Sequence, residues 1–493
     1  MNLPQGPGPR NAHHPRQGSA FAAAVEAARR SGELVVQPRM GFPDPRTMRR
    51  GLLAVRAARA RTVGTVTLDS YTRVGDHRHA RAALDSGAAL NGYPLVAHGA
   101  DATRRMLGDL GDGTPGFAVQ IRHGSADPYT IVRTLLDAGL DATEGGPVSY
   151  CLPYSRTPLA TSVDAWARSC ELLAERSGGT AHLESFGGCL LGQLCPPSLL
   201  VALAVLEGLF FRRYGLRSIS LSYAQQTSPA QDAEALTALR TLAAEHLPDA
   251  DTHLVLYTYM GVFPRSRGGA LRLLRASAEL AVRGGVERLI VKTPAEAHRI
   301  PTVEENVLAL EEAADAARRT PRAAPARPGA DEGEFGVLAE ARTLVETARA
   351  LAPDIGTALV RAFAAGLLDV PYCLHADNAN RARGFIDRRG SLQWRSGGAM
   401  PVRTAAGAEG RPLRAGELLD MLGYVQRAHD RETTPDLAPG APALEREIPA
   451  LVPGRPPLRP GTPPALRPAV PRRPLPTPCD PLHTSRDPLR QDR

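Results

Sequence analysis

Short apolar runs alternate with long Ala/Leu/Arg-rich stretches through most of this chain, and that alternation restricts the fold more than any other feature. Runs rich in Val, Ile, Leu and Thr fall at 34–36, 63–68, 118–121, 181–183, 218–221, 253–257 and 288–291, with a weaker one at 140–143. Amphipathic stretches lie between them, among them 46–59, 162–176, 197–214, 230–244 and 268–283. Strand, helix and strand in succession specify a parallel sheet with helices packed outside it. Eight repeats over roughly 270 residues predict an α/β fold, a (β/α)8 TIM-type barrel with a smaller C-terminal α-rich addition. The run at 93–97 is a candidate ninth strand, and a doubly wound open sheet is the alternative architecture.

Composition divides the chain further. The barrel is expected over 21–319, a linker over 320–333 (TPRAAPARPGADEG), and an α-rich region packed on the barrel over 334–448. Residues 1–20 and 449–493 are expected to be disordered; the latter stretch holds fourteen prolines, which deny the backbone its donors. The net charge of +8 sits mostly in those ends, with +5 in 449–493 and +2 in the first twenty residues. The body is left nearly neutral, which argues against nucleic acid as a partner. The absence of a long uncharged apolar run argues against a membrane span. Six cysteines without paired spacing, and no apolar leader, point to a reducing cytoplasm.

Polar groups recur just past the strands: Arg39, Asp69, Arg73, Arg122, His123, Glu144, Glu184, Tyr223, Tyr259 and Lys292. In a barrel these positions converge on one mouth, where barrel enzymes place their chemistry. Arg39, Arg73 and Arg122 are suited to gripping carboxylates by planar, two-pronged contacts. Each could instead pair with a nearby Asp or Glu, but their shared position after strands favours an anion held by all three. Glu144 opens the segment EGGPVSYCLPY, in which Tyr150 and Tyr154 offer apolar walls with hydroxyl tips. A carboxylate beside arginines suits an ammonium group, so the set suggests an acidic amino acid. Lys292 is the single lysine of the chain among 59 basic residues, which points to a need for its compact, titratable head. Glu296 is four residues on, within reach if the turn is helical. The Asp76-His77-Arg78-His79 string reads as a surface cluster, Cys189 and Cys195 lack zinc-site spacing, and no metal site is expected.

These motifs resemble a known family. QPRMG at 37–41, TLDSYTR at 67–73, LNGYPL at 90–95, VQIRHG at 119–124, EGGPVSYCLPY at 144–154, ESFGG at 184–188, LCPPS at 194–198, YMGVFP at 259–264 and VKTPAEAHRIPT at 291–302 are similar to the epsilon subunit of glutamate mutase (methylaspartate mutase). The resemblance runs from about Gly32 to Gly398. It implies an isomerase that rearranges the carbon skeleton of L-glutamate to (2S,3S)-3-methylaspartate by an adenosyl-radical mechanism, with adenosylcobalamin (coenzyme B12) as cofactor. It implies that Arg39, Arg73 and Arg122 grip the substrate carboxylates, that His123, Glu144, Tyr150 and Tyr154 complete the substrate site, and that Glu144 exchanges a proton with the amino group. Gly41, Asn91, Pro153, Phe263, Lys292, Glu296 and Ile300 fall where the family touches adenosylcobalamin.

The family's small cobalamin-binding subunit carries an Asp-x-His-x-x-Gly motif that supplies a cobalt ligand. Here the nearest string, Asp251–Leu256, ends in Leu and lies in a predicted strand. The resemblance therefore implies a separate cobalamin-binding partner chain that shares the cofactor, and a homodimer of this chain within a heterotetramer. Cys151, Tyr259 and Val262 depart from the Asn, Trp and Gly of the family pattern, on the cofactor side. The alternatives are a related radical mutase on another acidic substrate, or a silent barrel acting as a binding partner.

Overall fold

A computed structural model describes residues 19–110, 117–190, 194–322, 333–406 and 413–431. The Pro/Arg-rich stretch 449–493, residues 1–18 and most of the 320–333 segment lie outside the described residues.

Eight parallel strands form the barrel: β1 (Val35–Pro38), β2 (Gly64–Thr67), β3 (Val119–Arg122), β4 (Ala142–Gly145), β5 (His182–Ser185), β6 (Ser218–Ala224), β7 (Asp251–Tyr257) and β8 (Arg288–Val291). Their order is β1-β8-β7-β6-β5-β4-β3-β2. The ring is nearly closed: a parallel bridge joins Val36 to Thr62, and the Val36 N–H donates to the Arg61 carbonyl at 2.9 Å. The weak run at 140–143 is a fully buried strand, β4, because neighbours on both sides compensate for its poor intrinsic propensity. The run at 93–97 adds one bridge, Leu68 to Tyr93, before turning into the helix Leu95–His98.

The barrel interior is polar. Gln37 donates to Gln120 and to Thr65, each at 2.8 Å. The fully buried Arg288 donates to Glu184 at 2.5 Å, to Gln37 at 2.5 Å and to Ser220 at 3.1 Å. These bonds repay the desolvation of a charge that would otherwise be expelled from a core. The helix Ala20–Arg30, capped by Ser19, closes the floor. Its Phe21 stacks on His182 at 5.0 Å and lies 4.9 Å under the Arg288 guanidinium.

Helices surround the ring, and Pro197–Arg213 is apolar on nearly every side because it is covered twice. One cover is the sheet; the other is the C-terminal α-rich region, whose helices Val337–Arg349 and Ile355–Ala364 pack on it. A hairpin of β9 (Arg383–Ile386) and β10 (Leu392–Ser396) follows, tied to the barrel where Gln231 exchanges two hydrogen bonds with the Leu392 backbone at 2.9 Å each. Among the described residues no helix is long and apolar enough to cross a membrane.

Candidate active site

The side chains at the mouth are placed by the ends of the strands. Arg122 is the last residue of β3, His123 follows it, and Glu144 sits in the neighbouring β4. Arg39 follows β1. After β2, the buried Asp69 accepts from the Tyr71 and Thr72 N–H groups at 2.9 and 3.1 Å, which forces the short helical turn Ser70–Arg73 and so aims Arg73.

Glu144 is fully enclosed, as is nearly all of Arg122. Arg122 Nε donates to Glu144 Oε2 at 2.8 Å, and the Tyr257 hydroxyl reaches the same oxygen at 2.8 Å. Tyr150 donates to Glu144 Oε1. The Arg122 guanidinium lies 5.3 Å over the Tyr257 ring, and Arg73 lies 5.9 Å over that of Tyr154. Tyr154, 38% exposed, stands at the rim of the constellation. Burial pushes its phenol up, while the fields of Arg39, Arg122 and Arg73 all reach it and act in the opposite sense.

His123 is held edge-on to Tyr150 at 5.1 Å and stacked on Trp166 at 5.7 Å. Burial, then the neighbouring Arg73 and Arg122, push its imidazole down to about 3, so the ring is neutral near pH 7. Its Nδ1 accepts from the Ser125 N–H at 3.0 Å, which assigns the ring proton to Nε2.

Among the described residues, four buried nitrogens of this ring of side chains have no protein acceptor: Arg39 Nε, Arg73 Nε, Arg122 Nη1 and His123 Nε2. A buried donor left unpaired costs about 1–3 kcal/mol. Four of them around one mouth are donors whose hydrogen bonds an anion with several oxygens would accept.

On the far side of Arg39 lies the second cluster. Arg39 Nη1 donates to Glu296 Oε2 at 3.1 Å, and Lys292 Nζ approaches the same oxygen at 4.0 Å, 4.6 Å over the Phe263 ring. The helical turn Pro294–Ala297 brings Lys292 and Glu296 together. Burial pushes the Lys292 ammonium down to about 8, with Glu296 opposing and Arg39 adding to the shift. Arg39, Gly41, Asn91, Glu296 and Ile300 line one cleft of about 220 Å³, with Thr67 and Asn306. Gly41 is required there, since a Cβ would lie 2.2 Å from the Thr67 carbonyl oxygen. Pro153 lies elsewhere, in a cleft of about 750 Å³ that it shares with Arg73 and Tyr154.

Not every strand-end residue reaches the mouth. Tyr223 is buried against Asp232 at 2.8 Å, and Glu184 turns inward to Arg288. The Asp76–His79 string is a surface pair at 2.6 Å. Conversely, sequence reasoning missed Tyr257, Trp166 and Glu207. Glu207 left the clearest signal, a lone carboxylate in the apolar run SLLVALAVLEGLFF, where a buried charge must be meeting polar partners.

Comparison with known proteins agrees with this geometry. Residues 15–411 match the family described as methylaspartate mutase E chain. The glutamate mutase epsilon subunit of Halobacterium salinarum is 32% identical over 363 residues, which cover 71% of this chain and 74% of that protein. Those of Desulfitobacterium hafniense (32% over 350 residues, 68% and 71%) and Escherichia coli O157:H7 (31% over 351 residues, 68% and 72%) are similarly related. With the barrel, the ring of arginines and a match across most of its length, this chain belongs to the methylaspartate mutase E chain family, the family of the glutamate mutase epsilon subunits.

Proposed function

We propose that this chain is the barrel subunit of a mutase that interconverts L-glutamate and (2S,3S)-3-methylaspartate with adenosylcobalamin. The observation that carries the reading is the set of four acceptor-less N–H donors on Arg39, Arg73, Arg122 and His123 beside the sealed carboxylate of Glu144. The two carboxylates of an acidic amino acid supply the missing acceptors, and its ammonium group gives Glu144 a second cationic partner beside Arg122.

In this reading Arg39, Arg73 and Arg122 bind the carboxylates and hold them at fixed separation through the rearrangement, so that fragments cannot diffuse apart. His123 donates from Nε2. Tyr150 and Tyr154 wall the site against water, and Glu144 takes and returns a proton at the amino nitrogen. When bound, adenosylcobalamin supplies the radical that abstracts a substrate hydrogen. The residues on the Arg39 side fit the adenosyl part: Glu296 offers acceptors, Lys292 and Arg39 donors, and Gly41 leaves space. The cleft beside them, of about 220 Å³, is too small for a corrin ring and would take the adenosyl part alone. Phe263, under Lys292, completes that side in this assignment, while Pro153 approaches the cofactor from the separate cleft it shares with Arg73 and Tyr154.

The relatives are named as subunits, and the sequence holds no Asp-x-His-x-x-Gly string. In this reading a separate cobalamin-binding chain would dock over the mouth and share the cofactor, with two copies of each chain in the assembly. The five described cysteines are free, which suits a reducing cytoplasm. The test is reconstitution: this chain, a small cobalamin-binding partner, adenosylcobalamin and L-glutamate should yield 3-methylaspartate, and omission of either chain should abolish it. Failure of the complete mixture to form product, with cofactor bound, overturns the reading.

A further inference from the structure

Glu144 is met from below by a chain of buried groups. The Tyr257 hydroxyl lies 2.8 Å from Glu144 Oε2 and 2.5 Å from Glu184 Oε1. Glu184 Oε2 in turn accepts from Arg288 at 2.5 Å and from Gln120 at 3.2 Å. Arg288 is anchored on the floor over Phe21. The Tyr257 ring is fixed independently of its hydroxyl, edge-on to Phe186 at 5.4 Å and beneath Arg122.

A phenol carries one hydrogen, and here two carboxylates lie within its reach. Its hydrogen bond can go to one of them at a time. Without substrate, Glu144 is satisfied by Arg122, Tyr150 and Tyr257 together. Once an ammonium group supplies a charge-assisted bond to Glu144, the hydroxyl is free to turn to Glu184, at no cost in ring packing.

We propose that Tyr257 is a positioning residue for Glu144: its hydroxyl, backed by Glu184 and Arg288, holds the carboxylate toward the mouth and hands over its hydrogen bond when substrate binds. The inference rests on the reading of Glu144 as the substrate-facing carboxylate. It concerns the barrel interior, beyond the substrate and cofactor contacts assigned above.

Tyr257→Phe tests it, because the ring and both its aromatic contacts remain. In the complete complex with L-glutamate, kcat should fall about tenfold with KM changed less than about twofold, and the pH profile of kcat/KM should shift along its acid limb. A crystal structure of the full chain carrying Tyr257→Phe should show the Glu144 carboxylate rotated away from its 2.8 Å bond with Arg122. Unchanged kinetics together with an unmoved Glu144 overturn the proposal. A wild-type complex that forms no methylaspartate overturns the functional reading instead, and the crystal structure still decides whether Tyr257 positions Glu144.

Discussion

Glu207 holds Ser149 twice, accepting its backbone N–H at 2.8 Å on one oxygen and its hydroxyl at 2.9 Å on the other. The same carboxylate accepts from the Val148 N–H at 3.1 Å and the Ser185 hydroxyl at 3.1 Å. A side chain from the middle of a buried helix thus fixes the turn that delivers Tyr150 to Glu144. Glu207→Ala strands two backbone donors and two hydroxyls in the interior, and should cost about 3 kcal/mol in urea unfolding. Gly146→Ala should be comparably harmful, since its Cβ would lie 2.0 Å from the Glu207 carboxyl carbon. A Glu207→Ala protein with wild-type stability would refute the clamp.

Glu207 also makes stability depend on pH. Burial pushes its carboxyl from 4.5 up to about 7, against the hydrogen bonds that act to lower it. The native state therefore holds a proton that the unfolded chain releases above about 4.5. This contribution is complete below that pH, declines as pH rises, and is gone above about 7. Asp232, also raised by burial to about 7, acts in the same direction. The buried imidazoles of His123, His182 and His253, held neutral in the fold, act in the opposite direction below about 6.5, so the Glu207 contribution is read as a difference: between pH 5 and 8 wild type should lose stability relative to Glu207→Gln as pH rises. A difference between the two proteins that stays constant with pH would remove Glu207 as a source.

Lys292 titrates in a range that assays reach. Its charge is present below about 8 and lost above it, because burial disfavours the ammonium. Turnover should decline as pH rises through that value. Lys292→Arg, charged throughout, should give a lower rate with a flatter alkaline limb. An unchanged alkaline limb in the arginine variant would show that the ammonium is not the titrating group.

His123 should not titrate in the neutral range. With its imidazole pushed down to about 3 and its Nδ1 accepting from Ser125, nitrogen-labelled NMR should show a neutral Nε2–H tautomer from pH 5 to 9. His123→Phe, which removes the donor, should raise KM for glutamate about tenfold, or about 1.4 kcal/mol. His123→Gln should recover part of the loss. Protonation of the ring near pH 6 would contradict the assignment.

Much of the fold was legible because β-branched runs mark strands and Ala/Leu/Arg periodicity marks helices. Ala142–Gly145 was read weakly, since Glu and Gly are poor strand formers and the pairing on both sides makes up the difference. Tyr93 was ambiguous for the opposite reason: its residues favour a strand, yet the chain makes one bridge there and then winds into a helix. Within the site, Arg39, Arg73, Arg122 and Glu144 could be picked out because ionisable groups directly after apolar runs are conspicuous. Tyr257 and Trp166 could not. Their importance comes from which neighbour they face across the barrel, and apolar sequences carry no mark of that.

Phe21 closes the lower end of the barrel, buried beneath Arg288 and against His182. The polar interior above it is consequently shut off from solvent on that side. On the proposed function, reactive species would leave and dioxygen would enter on the side where the arginines stand. A partner seated on that rim would therefore shield the site from the one side that Phe21 leaves uncovered, without any need for the barrel to change shape.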